Sequence, residues 1–119
     1  MDTHSEQRPA AQPLPDGAID LIAERFRAIG DATRIRILER LRNGEQTVAE
    51  ITATLDCTQQ NVSKHLGVLH RSGIVRRRKV GTSSTYEIAD PIVTDLCALV
   101  CNSLRNEAGQ LIELLEVAK

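Results

Sequence analysis

Apolar positions change period along the chain, and the changes divide it into elements. Residues 1–16 hold three of the four prolines and no sustained apolar period, so they read as a disordered tail ahead of one domain over 17–119. From Ala18 the positions Ile19, Ile22, Ala23 and Phe26 recur at helical spacing, predicting a first helix to about Ile29 that Gly30 ends. Asp31 suits the cap of a second helix with Ile35, Ile37, Leu38 and Leu41 inside and Arg34, Arg36, Glu39 and Arg40 in solvent, stopped by Asn43-Gly44. Thr47 and Glu50 form a capping box for a brief third helix bearing Ile51 and Leu55. After the turn Asp56-Cys57-Thr58, a fourth helix keeps Val62, Leu66 and Leu69 on one face as far as Gly73.

The period then falls to two. Ile74 to Val80 and Thr85 to Ile88 read as strands of a hairpin around Gly81-Thr82-Ser83-Ser84. Beyond Asp90, with Pro91 at the first helical position, Leu96, Leu99, Val100, Leu104, Leu111, Leu114 and Leu115 mark a long last helix interrupted at Gly109. The class is mainly α with a small β-hairpin, and the last helix carries more apolar surface than so small a domain covers by itself.

Charge sharpens this picture through its distribution. The chain has 15 basic and 16 acidic residues, a net charge of -1, which argues against binding polyanions by bulk charge. Between Thr58 and Tyr86, however, Lys64, Arg71, Arg76, Arg77, Arg78 and Lys79 occur with no acidic residue. Such a local patch meets phosphate without attaching to every polyanion. No apolar run approaches the roughly 20 residues that span a bilayer, and the basic-then-apolar layout of a signal peptide is absent, so a cytoplasmic protein with no membrane partner is expected.

Two short helices joined by a tight turn, the second exposing amides and hydroxyls, meet the demands of reading base edges in a major groove. Gln59, Gln60 and Ser63 are the base-edge candidates, with Thr58 and Asn61 beside them; Lys64, His65 and Arg71 are placed to engage phosphates. The hairpin adds a wing. Because strand residues alternate in direction, about half of its four consecutive charges can face DNA; Arg77 and Lys79, with Thr82 at the tip, are taken as that half. Catalysis finds no support: there is no glycine-rich phosphate loop, no paired-carboxylate pocket and no Ser/His/Asp arrangement. A winged helix used for protein contact is the other rival, and the acid-free recognition helix weighs against it.

Three stretches in order carry a family resemblance: Phe26 to Leu38 (FRAIGDATRIRIL), Gln60 to Leu66 with Leu69, and Gly73-Ile74-Val75 followed by Gly81 to Ile88. Over residues 20 to 104 the chain resembles the ArsR/SmtB winged helix-turn-helix transcriptional regulators, with Ala32 where that family usually has proline. The resemblance implies a repressor that dimerises through its first and last helices, binds an inverted-repeat operator of double-stranded DNA as a homodimer, and is released by an inducer. Two-fold symmetry would make the operator pseudo-palindromic.

The family's metal positions do not carry over. Asp90 matches the carboxylate of its last-helix site, but Ile92, Ser103 and Asn106 stand at the other ligand positions, and Thr47 and Ala49 occupy its Cys-x-Cys places. No resident cofactor is therefore assigned. What remains is Cys97 and Cys101, four apart on the last helix and so on one face, able to hold a soft thiophilic metal(loid) such as arsenite, with Cys57 as a weaker third thiol. Plain packing and thiol oxidation or persulfide sensing stay open for the same residues, as does repression without an inducer. His65 and His70 point to different helix faces and are not proposed as metal ligands.

Overall fold

The computed structural model describes residues 12–117, and the tail expected over 1–16 lies largely outside them. In chain order the elements are α1 (Asp16–Ile29), α2 (Ala32–Leu41), β1 (Gln46–Thr47), α3 (Val48–Ala53), α4 (Gln59–Arg71), β2 (Val75–Val80), β3 (Ser83–Ile88) and α5 (Pro91–Val117). Helix α1 begins two residues before the expected Ala18, with Pro15 in extended conformation ahead of it. It ends at Gly30, where an added Cβ would stand 3.1 Å from the Phe26 carbonyl oxygen, a close approach that favours glycine.

The predicted caps form. Asp31 accepts from the Arg34 backbone N–H at 3.0 Å, and Thr47 and Glu50 close a reciprocal capping box with bonds of 2.8 and 3.1 Å. Thr58 caps α4 by accepting from the Asn61 N–H at 3.1 Å, and Asp90 accepts from Ile92 N–H at the head of α5. Ile37, Leu38 and Leu41 of α2, Ile51 of α3, and Val62, Leu66 and Leu69 of α4 interlock into one core closed by Ile74, Val75, Tyr86 and Val93.

Several expectations change on contact with tertiary structure. Ile35 is exposed, whereas Arg34, expected in solvent, is half-buried. The reason is rotational: Arg34 lies three, four and seven residues before Ile37, Leu38 and Leu41, hence on their stripe, and Ile35 lies off it. The sheet has three strands in the order β1-β3-β2, because Gln46 and Thr47 pair antiparallel with Tyr86 and Thr85; two residues are too short a signal for periodicity to reveal. The hairpin loop contracts to Gly81-Thr82, with Val80 opposite Ser83 and Gly81 at φ +62°, the positive value that a two-residue turn with glycine first requires. Gly109 does not interrupt α5, which runs unbroken for 27 residues, roughly 40 Å.

Helix α5 outreaches the domain. Val93 near its start is buried, but Leu99, Val100, Leu104, Leu111, Ile112, Leu114 and Leu115 are each more than half exposed. Ile19, Leu21, Ile22 and Phe26 of α1 are exposed as well. Exposed apolar side chains are thus concentrated on the first and last helices.

Candidate nucleic-acid interface

Helix α4 turns Val62, Leu66 and Leu69 wholly into the core and so commits the opposite face to solvent. Gln59, Gln60, Asn61, Ser63, Lys64 and Arg71 are all exposed there, and Thr58 is exposed at the helix start. Gln60, Ser63 and Lys64 stand on the surface opposite the core. Arg71 stands two turns beyond Lys64, and an added Cβ on Gly67 would lie 3.2 Å from its guanidinium. The Asn61 amide is partly committed, since its Nδ2 donates to the Cys57 sulfur at 3.2 Å. His65 is placed differently from its neighbours: its side chain is 14 % exposed and its Nδ1 lies 3.1 Å from an Arg34 guanidinium nitrogen, so the ring is turned toward α2.

On the wing, the cross-strand register sorts the four charges. Arg76 sits opposite Glu87 and donates to it at 3.0 Å, while Arg78 is hydrogen-bonded to Glu45. Arg77 and Lys79 alternate with these onto the face shared by Val75 and Tyr86; both are exposed and, among the described residues, neither has an ion-pair partner. Two wing cations are thus neutralised locally and two remain available. Glu87 as a cross-strand partner follows from hairpin register, but Glu45 reaches the wing through β1, which the sequence did not disclose. Thr82 is exposed at the tip.

The cysteines separate. Cys57 packs beside the core at the α3–α4 turn, near Leu55, Thr33 and Arg36. Cys97 is half-buried on α5, and Cys101, one turn on, is exposed. Burial, aided by the negative charge of Glu39 on α2, pushes the Cys97 thiol above its ordinary range. Among the described residues no three His, Cys, Asp or Glu side chains gather as a metal set, so Cys57 does not complete a site with the other two. Cys57, the weaker of the thiols considered for a third ligand, lies at the α3–α4 turn, and Cys97 and Cys101 lie on α5.

A family model described as a helix-turn-helix domain matches residues 29–78, the segment from the end of α1 to the middle of β2. The probable mercury resistance operon repressor of Streptomyces lividans is 38% identical over 101 residues, covering 84% of this chain and 81% of that one. A transcriptional repressor SmtB homolog of Synechocystis is 30% identical over 104 residues, 86% of this chain and 79% of its own length. The chain belongs to the ArsR/SmtB family. Among solved structures, the homodimeric winged helix-turn-helix DNA-binding domain of a possible ArsR-family transcriptional regulator from Mycobacterium bovis aligns with a TM-score of 0.68 at 31% identity over 82% of this chain and 91% of that one. Like its ArsR/SmtB relatives, named as regulators and repressors, the chain is a transcriptional regulator and not an enzyme. Among the described residues no helix is long and apolar enough to cross a membrane.

Proposed function

We propose that two copies of this chain bind a pseudo-palindromic, inverted-repeat operator and repress transcription from it. The observation that carries the reading is the acid-free exposed face of α4 beside two unpaired wing cations. Gln59, Gln60 and Ser63 read base edges in the major groove, Thr58 and Asn61 flank them, and Lys64, Arg71, Arg77, Lys79 and Thr82 hold the phosphate backbone. His65 is left out because its ring is engaged from α2. The exposed apolar surfaces of α1 and α5 form the homodimer contact, a reading supported by the homodimeric Mycobacterium bovis relative. The shared core supports reading 17–119 as one DNA-binding and dimerisation domain, and the DNA target supports a cytoplasmic location.

The inducer is proposed to be a soft thiophilic metal(loid) held by Cys97 and Cys101, with further thiolates from the second copy; the mercury resistance repressor among its relatives supports this class. Because the Cys97 thiol is held above its ordinary range, capture must expel a proton, and affinity should rise with pH.

The test is fluorescence anisotropy on DNA from the region upstream of the gene, at fixed salt, with arsenite, mercuric ion, zinc or peroxide added. Specific binding released by arsenite or mercuric ion, and no longer released in Cys97→Ser and Cys101→Ser, is expected. Absence of any preference for that DNA would overturn the repressor; release that survives both substitutions would overturn the thiol sensor.

A further inference from the structure

Arg34 occupies the point where three helices meet. Its Nε donates to the Ala28 carbonyl oxygen at 2.5 Å, one of the carbonyls at the C-terminus of α1, and its Nη2 donates at 3.3 Å to that of Arg27, which also accepts from the Gly30 N–H. Its own backbone N–H is held by the Asp31 cap of α2. Its Nη1 lies 3.1 Å from His65 Nδ1 on α4, 31 residues away. Asp31 also approaches that ring, with Oδ1 3.9 Å from Nδ1.

Chemistry fixes the direction of the Arg34–His65 contact. A guanidinium has five donors and no acceptor, so Nδ1 must be the acceptor and the ring proton must sit on Nε2. Serving Ala28, Arg27 and His65 at once also needs the planar fork of arginine; a lysine ammonium on a flexible stem cannot hold three partners in that geometry.

We propose that Arg34 is a positioning residue for DNA recognition, locking the recognition helix through His65 to the C-terminal end of α1. The proposal rests on the reading of α4 as the DNA-contacting helix and deepens it: the helix that carries part of the exposed apolar contact surface is tied by one side chain to the helix that reads bases. His65 then acts through Arg34 and not by touching DNA. Beside the direct packing of α1 on α4, this connection passes a displacement of α1 to the recognition helix, a coupling between two elements of the kind that links distant sites.

The experiment uses the full chain and two duplexes, the upstream DNA and an unrelated one of the same length, with wild type, Arg34→Lys, His65→Leu, His65→Gln and the Arg34→Lys/His65→Leu double variant. Arg34→Lys and His65→Leu should each weaken specific binding by about tenfold and leave unrelated-duplex binding within about twofold; the double variant should be no weaker than the worse single. His65→Gln, which retains an acceptor oxygen, should restore binding to within about twofold of wild type. A further loss on adding His65→Leu to Arg34→Lys would mean that His65 meets DNA itself and would overturn the proposal, as would folded single variants with unaltered specific affinity. If Arg34→Lys fails to fold, the ¹⁵N spectrum of wild-type His65 decides: the Nε2–H tautomer is expected, and an Nδ1–H tautomer overturns the contact. Failure of the wild type to prefer the upstream duplex would strike the DNA-binding reading and not the Arg34 connection, which the tautomer reads independently.

Discussion

Arg25 on α1 donates to the Asp90 carboxylate at 2.5 Å across 65 residues of sequence, joining the first helix to the head of the last. The pair flanks an apolar groove between α1 and the start of α5 lined by Leu21, Ile22, Phe26 and Ile92. Asp90 has a second task, accepting from the Ile92 N–H as the cap of α5.

These two roles predict unequal costs. Asp90→Ala removes cap and partner and should destabilise the fold by about 1–2 kcal/mol, whereas Arg25→Ala removes a pair whose arginine is 42 % exposed and should cost under about 1 kcal/mol. Urea unfolding of both variants checks the order; equal losses would show that the cap contributes nothing.

The wing predicts a contrast within four consecutive residues. Arg77→Ala and Lys79→Ala should weaken operator binding across all sequences and each reduce the salt slope by about one. Arg76→Ala and Arg78→Ala remove charges already paired to Glu87 and Glu45 and should alter that slope less. Gln60→Ala or Ser63→Ala should change which bases are preferred, as read by competition among variant duplexes.

Acid should loosen the junction between α1 and α2. The Asp31 carboxyl is held below its ordinary value because it accepts the Arg34 backbone N–H. A depressed folded-state value means that its stabilisation is complete above the ordinary carboxylate value of 3.8 and is lost as pH falls through the lower, folded one. Thermal unfolding followed from pH 6 down to about 3 should therefore show a falling midpoint that Asp31→Asn partly flattens.

Charge placed in the apolar stripe of α5 should separate the copies. Leu99→Glu or Leu104→Glu leaves the single-chain core intact, since both residues are more than half exposed. Sedimentation should then give a monomer with near-native helix content, and operator affinity should fall with it because two half-sites no longer bind together. A dimer that persists would move the interface elsewhere.

The Cys97 thiol should titrate late. Alkylation followed by mass spectrometry as a function of pH should give a Cys97 rate still rising above the ordinary thiol value of about 8.5, since burial and Glu39 both oppose its thiolate. A midpoint at or below that value would contradict the burial.

Local chemistry written in consecutive residues determined much of this protein. The caps at Asp31, Thr47 and Thr58, the apolar stripes of α4 and α5 and the family stretches need only near neighbours to be recognised, because helix periodicity and capping are short-range. Even the division of the wing into two faces followed from strand alternation. Tertiary structure alone decided which polar groups were free. Helix rotation already put Arg34 on the stripe of Ile37, Leu38 and Leu41 and Ile35 off it, but only the tertiary structure brought the Arg34 guanidinium to carbonyls of α1 and the ring of α4. His65 turned inward to meet it, β1 formed because β3 offered two residues an edge, and Glu45 thereby reached Arg78. Cys57 packed against the core at the α3–α4 turn and joined no cluster of three ligand side chains among the described residues. Each of these depends on groups distant in sequence coming within a few ångströms, and no periodicity along a single segment encodes such a meeting.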